Sequence, residues 1–210
     1  MKAGRWPLVP TLIVGLAVAA MIGLGAWQLH RAQWKEALIA EYRGNPARPP
    51  IAFPALGPVP SDAMFRRSAA TCLSVAGWRV EAGRTAAGRS GYRHIAECRT
   101  GAEGPGLLVD MGVDSDPASK PRWGGGPVSG VITTEPDHTS LVSRLFGSTT
   151  VLRPMLVADR PAPGLMASVP PNVDAVTNNH RAYAVQWFVF AAVAALIYGL
   201  ALRRRGASGK

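Results

Sequence analysis

Two cysteines in 210 residues, and four histidines set far apart, remove several chemistries at once. No Cys-x-x-Cys-His is present, so no c-type haem is attached covalently, and no Cys-x-x-Cys or Cys-x-x-x-Cys offers thiol exchange or copper capture. Gly-x-Ser-x-Gly, His-Glu-x-x-His and a phosphate loop are missing too. The glycine triplet Gly124-Gly125-Gly126 lies between Trp123 and Pro127 with no helix start behind it, and reads as a loop tip. Catalysis by a soluble domain is thus unsupported. Acids are scarce, 13 against 23 basic residues, for a formal net charge of +10. Neither terminal tail carries one. No internal repeat is visible, and no Arg- and Ser-rich transit sequence precedes the first apolar run.

What the chain does have is two long apolar runs. Residues 182–202 hold 21 positions without a charge, closed at once by Arg203-Arg204-Arg205. At about 1.5 Å per residue such a run spans a hydrocarbon core of about 30 Å. The first run, residues 11–29, is of similar reach and ends at Trp27, as membrane anchors do; a signal peptide is the competing reading. Lys2 and Arg5 on one tail, and Arg203, Arg204, Arg205 and Lys210 on the other, hold both tails in the cytoplasm. The expected organisation is a cytoplasmic tail (1–10), a first membrane helix (11–29), a periplasmic domain (30–181), a second membrane helix (182–202) and a basic cytoplasmic tail (203–210). The setting that fits is a bacterial inner membrane crossed twice, with lipid rather than nucleic acid as the charge partner. Gly15, Ala19 and Gly23 on one helix, and Ala191, Ala195 and Gly199 on the other, have the small-xxx-small spacing through which membrane helices pack.

The outer segment is long enough for one domain with its own core. The first helix continues through Arg31, Lys35, Leu38 and Tyr42 and should stop near Gly44-Asn45-Pro46. Residues 46–60 and 160–177, both rich in proline, read as extended connectors. Between them residues 71–81, 92–98, 107–113, 128–134 and 151–158 read as strands, with a short helix over 140–146. The expected fold is thus two antiparallel transmembrane helices framing one β-rich extracytoplasmic domain, an antiparallel sheet or small barrel. Cys72 and Cys98 both fall in strands of that domain. An oxidising compartment permits a disulfide between them if those strands are neighbours; two buried thiols are the alternative.

His94 and His138 read as structural or turn residues, and His30 as interfacial. His180 differs, because Ala184, Trp187 and Ala191 continue its face at i+4, i+7 and i+11. An imidazole above small residues and an indole leaves a slot for a flat apolar ligand, with a ring nitrogen free for iron. Helix capping by Asn178 and Asn179 and anchoring at the interface are the ordinary reading of the same residues. Two antiparallel helices put residues 27–31 and 180–187 at one depth, so that Trp27, Arg31, Arg181 and Trp187 could join His180 in a composite site.

Leu24-Gly25-Ala26-Trp27-Gln28-Leu29-His30-Arg31 with Trp34-Lys35, and Asn178-Asn179-His180-Arg181-Ala182-Tyr183-Ala184 with Gln186-Trp187-Phe188, resemble the two end motifs of the surfeit locus protein family of cytochrome c oxidase assembly factors. Gly91-Tyr92-Arg93-His94 and Leu108-Val109-Asp110-Met111-Gly112 resemble its middle blocks. The resemblance implies a non-enzymatic role in maturing a haem–copper oxidase. Haem a is the implied transient cargo and His180 the implied ligand of its iron. The implied partners are the oxidase's catalytic subunit and proteins that make or deliver haem a. A cargo-free scaffold that stabilises assembly intermediates is the alternative. Arg181, Gln186 and Val113-Asp114 depart from the family's usual residues at those places.

Overall fold

The computed structural model describes residues 7–102, 106–140, 143, 147 and 150–207. Most of the short helix expected over 140–146 lies outside them, as do Lys2, Arg5 and Lys210. The chain divides into two compact units, one made of its two ends up to Leu38 and from Thr177, the other of Ile39–Val176.

The first unit is a helix pair, α1 (Leu8–Gly44) as far as Leu38 and α2 (His180–Ala207), each helix long and apolar enough to cross a membrane. Pro10 is tolerated in α1 because its missing N–H falls in the first turn, where no intrahelical partner exists. The helices run antiparallel: Thr11 and Tyr198 share a 2.6 Å hydrogen bond at one end, and Gln28 meets His180 at the other. On α1 the less exposed positions are Thr11, Val14, Val18, Met21, Gly25, Gln28 and Ala32, spaced three and four apart. On α2 they are His180, Ala184, Trp187, Ala191, Ala194, Tyr198, Gly199 and Leu202. On α1 this alternation corrects the expected packing face; on α2 Ala191 is buried and Gly199 partly so, and only Ala195 of the expected three is exposed. Gly15, Ala19, Gly23 and Ala195 are exposed, and nothing lies within 4 Å of where a Cβ on Gly15 or Gly23 would stand. A strict step of four drifts about 40° around a helix each time, whereas alternate threes and fours keep one stripe facing a long partner.

The second unit is a seven-stranded sheet in the order β1-β2-β6-β7-β5-β4-β3. Its strands are β1 (Ile51–Ala52), β2 (Arg67–Cys72), β3 (Ser74–Arg84), β4 (Ser90–Arg99), β5 (Leu107–Asp114), β6 (Gly126–Thr134) and β7 (Pro154–Ala158). The sheet is mixed, not purely antiparallel as expected: β1 pairs parallel with β2, and β5 with β7. β7 wedges between β5 and β6, pairing antiparallel with the second, and so must run with the first. The stretch read as one strand over 71–81 is two. The chain bends at Leu73 from β2 to β3, which stand near opposite ends of the strand order, and the Leu73 N–H reaches the Arg99 carbonyl at 2.9 Å. The sheet therefore curls. That curl brings Cys72 of β2 to Cys98 of β4, which are not hydrogen-bonded neighbours, and a disulfide joins them with Cα atoms 5.2 Å apart.

The main core fills the curl: Cys72, Ala96, Cys98, Leu107, Val109, Met111, Val128, Ile132 and Leu156. Ile95, Leu108, Met155 and Val157 make a smaller cluster, so β5 is buried on both faces. Neither proline-rich stretch is a free connector. Asn45, fully buried, donates to the Ser61 and Met64 carbonyls at 2.8 and 2.9 Å, and Ser68 Oγ bonds the carbonyl of Ile51. Residues 160–177 bridge to Thr85 and Val113 through Ser168 and Met166, and bury Ala162 and Val173.

Candidate functional site

The helix pair collects polar groups at the end where α2 begins. His180 is the first residue of α2, and the backbone N–H of Tyr183 bonds the Asn179 carbonyl just before it. Asn178 Nδ2 donates to the Ala32 carbonyl of α1 at 3.2 Å. His180 itself is half-buried, with Nδ1 2.6 Å from Gln28 Oε1. An amide oxygen only accepts, so a hydrogen bond to Oε1 calls for the proton on Nδ1. Among the described residues nothing hydrogen-bonds Nε2.

The other expected site residues are placed differently. Arg181 turns to Glu36 in a side-on pair, Nε to Oε1 at 2.7 Å and Nη2 to Oε2 at 2.9 Å. Both groups are open to solvent, so the pair contributes no more than about 1 kcal/mol, but it occupies the guanidinium. Arg31 lies over the Trp34 ring, 4.6 Å from its centroid. Trp27 is half exposed, and Trp187 packs edge-on to Phe190. Among the described residues no hydrogen bond, ion pair or ring contact joins His180 to Trp27, Arg31, Arg181 or Trp187. The expected slot beneath His180 is filled as well: Ala184 is 0% and Ala191 4% exposed, both on the stripe that faces α1. Open apolar surface near this end is instead carried by Trp27, Trp34 and Tyr183.

Gln28 and Glu36 are the residues that the sequence reading passed over. Gln28 had a legible signal, since it stands three beyond Gly25 and four before Ala32 on one helical stripe. Glu36 had none, because its partner is 145 positions away.

The sheet unit carries a separate cleft of about 1050 Å³. Asp110, Met155 and Val157 line it together with the β3–β4 hairpin, Thr133 to Asp137, and Ser168 with the prolines after it. Asp110 is only 2% exposed. One of its oxygens accepts from Ser168 Oγ at 2.6 Å and from the Gly112 N–H at 3.1 Å, and the other faces Arg93 at 4.0 Å. Burial pushes its carboxyl up, against the opposing pull of those two donors and of Arg93. Arg93 is shared with Glu81 at 3.6 Å, and Glu81 with His138 at 3.3 Å. His94 is buried elsewhere, with Nε2 near Ser119 Oγ and, among the described residues, no partner for Nδ1. Among the described residues no three His, Cys, Asp or Glu side chains are grouped to hold a metal ion.

The model of the SURF1 family matches residues 15–192. That range takes in both motif-bearing ends and the whole sheet unit. No curated protein matches the chain.

Proposed function

The chain belongs to the SURF1 family, membrane proteins known for cytochrome oxidase assembly, and on that premise we propose that it holds haem a for insertion into the catalytic subunit of a haem–copper oxidase. The observation that carries this reading is the His180 imidazole, pinned through Nδ1 to Gln28 while Nε2 stays free to bind iron. A single protein nitrogen at the lip of a helix pair suits cargo that must leave again. The covered face of Ala184 and Ala191 argues against a deep slot, so the macrocycle rests on the exposed aromatic side chains at the lip. Glu36 already matches Arg181, which leaves Arg31 to meet a haem propionate. In this reading the acid-free basic tails lie in the cytoplasm of a bacterial cell, and the sheet domain lies in the periplasm, where its disulfide persists. The protein acts as a chaperone, not an enzyme. Proteins that synthesise or deliver haem a stand before it and the oxidase subunit after it.

A second reading, a scaffold that carries no cargo, is favoured by the same covered face. The two separate on the visible spectrum of the protein purified from cells that make haem a. We expect bound haem a in the wild type and a loss of most of it in His180→Ala, with membrane insertion unchanged. Equal haem content and an unaltered spectrum in His180→Ala would make the ligand assignment wrong.

A further inference from the structure

We propose that Gln28 is the positioning residue for His180: its side-chain oxygen fixes the imidazole as the Nδ1–H tautomer, so that Nε2 is the nitrogen offered to a ligand. The inference rests on the reading of His180 as a haem ligand for its purpose, but not for its test.

Three ties join α1 to the start of α2. Gln28 meets His180, the Ala32 carbonyl meets Asn178, and Glu36 meets Arg181. Residues 28, 32 and 36 are successive i+4 positions, so the ties stand about one turn apart and wind about 40° around α1 at each step. The middle one ties the side chain of Asn178, two residues before His180, to the α1 backbone, and the last ties the side chain of Arg181, the residue just after it. With both flanks held, the imidazole has little freedom beyond rotation about its own side-chain bonds, and the 2.6 Å contact to Gln28 removes that. A hydrogen bond from Nδ1–H to a fixed acceptor is the arrangement by which proteins orient histidine ligands of metals.

Gln28 is an amide, and this distinguishes the inference from simple packing. Were its NH2 group turned toward His180, Nδ1 would accept and Nε2 would carry the proton, unfit for iron. Gln28→Leu removes the acceptor at nearly constant volume. Gln28→Glu retains an acceptor and cannot present a donor when ionised.

The test is 15N NMR of the full-length protein in lipid nanodiscs without haem, labelled at histidine, with His180 assigned by comparison with His180→Gln. Wild type and Gln28→Glu should show protonated Nδ1 and bare Nε2, and Gln28→Leu a mixture or the opposite tautomer. Protonated Nε2 in the wild type overturns the inference, and so does an unchanged tautomer in Gln28→Leu. Haem a retention is the second readout, expected to fall about tenfold in Gln28→Leu, within the range seen when a ligand's hydrogen-bond partner is lost, and to be kept in Gln28→Glu with a shifted Soret band. The expected tautomers with no haem in any variant support the role of Gln28 while removing the cargo reading. Haem retained equally in all three, with the tautomer unchanged, removes Gln28.

Discussion

Leu12, Ile13 and Leu16 of α1 expose between 62% and 71% of their surface, whereas Leu107, Leu108 and Val109 of β5 expose 1% or less. The residue types are the same and their fates opposite, because each unit is built for a different solvent. In the sheet unit, removing apolar area from water drives association at about 25 cal/mol per Å². Between helices in lipid that drive is absent, since the lipid tails are as apolar as leucine. The helix pair accordingly meets along a narrow stripe and is tied by polar contacts at its ends, Thr11 with Tyr198 and Gln28 with His180. The sheet unit is tied by a disulfide across its curl.

The sharpest way to break this contrast is to cut that disulfide. Cys72 and Cys98 are 26 positions apart, and opening a loop of that size should cost about 3 kcal/mol in the chain-entropy model. In Cys72→Ala/Cys98→Ala, hydrogen exchange should show β2 and β4 amides losing protection by that amount, while α1 and α2 amides keep theirs. Equal loss in the helices would mean that the two units do not stand separately.

A smaller effect is expected at Asp110. Asp110→Leu strands the Gly112 N–H and the Ser168 hydroxyl, a loss of about 1–3 kcal/mol, while Asp110→Asn keeps an acceptor for both and should stay within about 1 kcal/mol of wild type. The pH response separates the two further. Burial raises the Asp110 carboxyl, so between the ordinary carboxylate value and its raised one the folded protein binds a proton that the unfolded chain has released. Stability from this group therefore falls as pH rises through that window, and the penalty is complete above it. Asp110→Asn should lose this slope in urea titrations at a series of pH values. An unchanged slope would place the titrating group elsewhere.

Much of the architecture was legible in the residues, for reasons that also mark where legibility stopped. The helices follow from run length, and the end of α1 at Gly44 from the Asn45-Pro46 that follows. β4 and β5 follow from short apolar runs bounded by glycine. β1 did not, because two residues paired among prolines leave no period to read. Nor did the bend at Leu73, since alternation runs through Cys72-Leu73-Ser74 without a breaker. The parallel pairing of β5 with β7 depends on which strand wedges between which, a long-range choice absent from local pattern. At the candidate site the end motifs led to His180, but its partner was sought among aromatics and arginines. The spacing of Gln28 from Gly25 and Ala32 places it on the packing stripe, but a glutamine carries no chemical flag of its own, and the geometry of the pair is what joins it to His180.

The finest test lies within two residues of α1. Gly23 is exposed with nothing within 4 Å of its Cβ direction, whereas a Cβ on Gly25 would stand 2.6 Å from the Phe188 ring. Three atoms of the ring stand within 3.0 Å of that position, so the ring and the stretch of α2 that carries it must give way together. Gly23→Ala should therefore leave the pair unchanged. Gly25→Ala should widen it locally without separating it, since the ties at Thr11 and Gln28 stay in place. Spin labels at Leu24→Cys and Val185→Cys report this cleanly, because both native cysteines are held in the disulfide. The expected result is a longer or broader distance in Gly25→Ala and the wild-type distance in Gly23→Ala. A shift in Gly23→Ala with none in Gly25→Ala would restore the Gly15-Ala19-Gly23 face as the packing surface and overturn the three-and-four stripe.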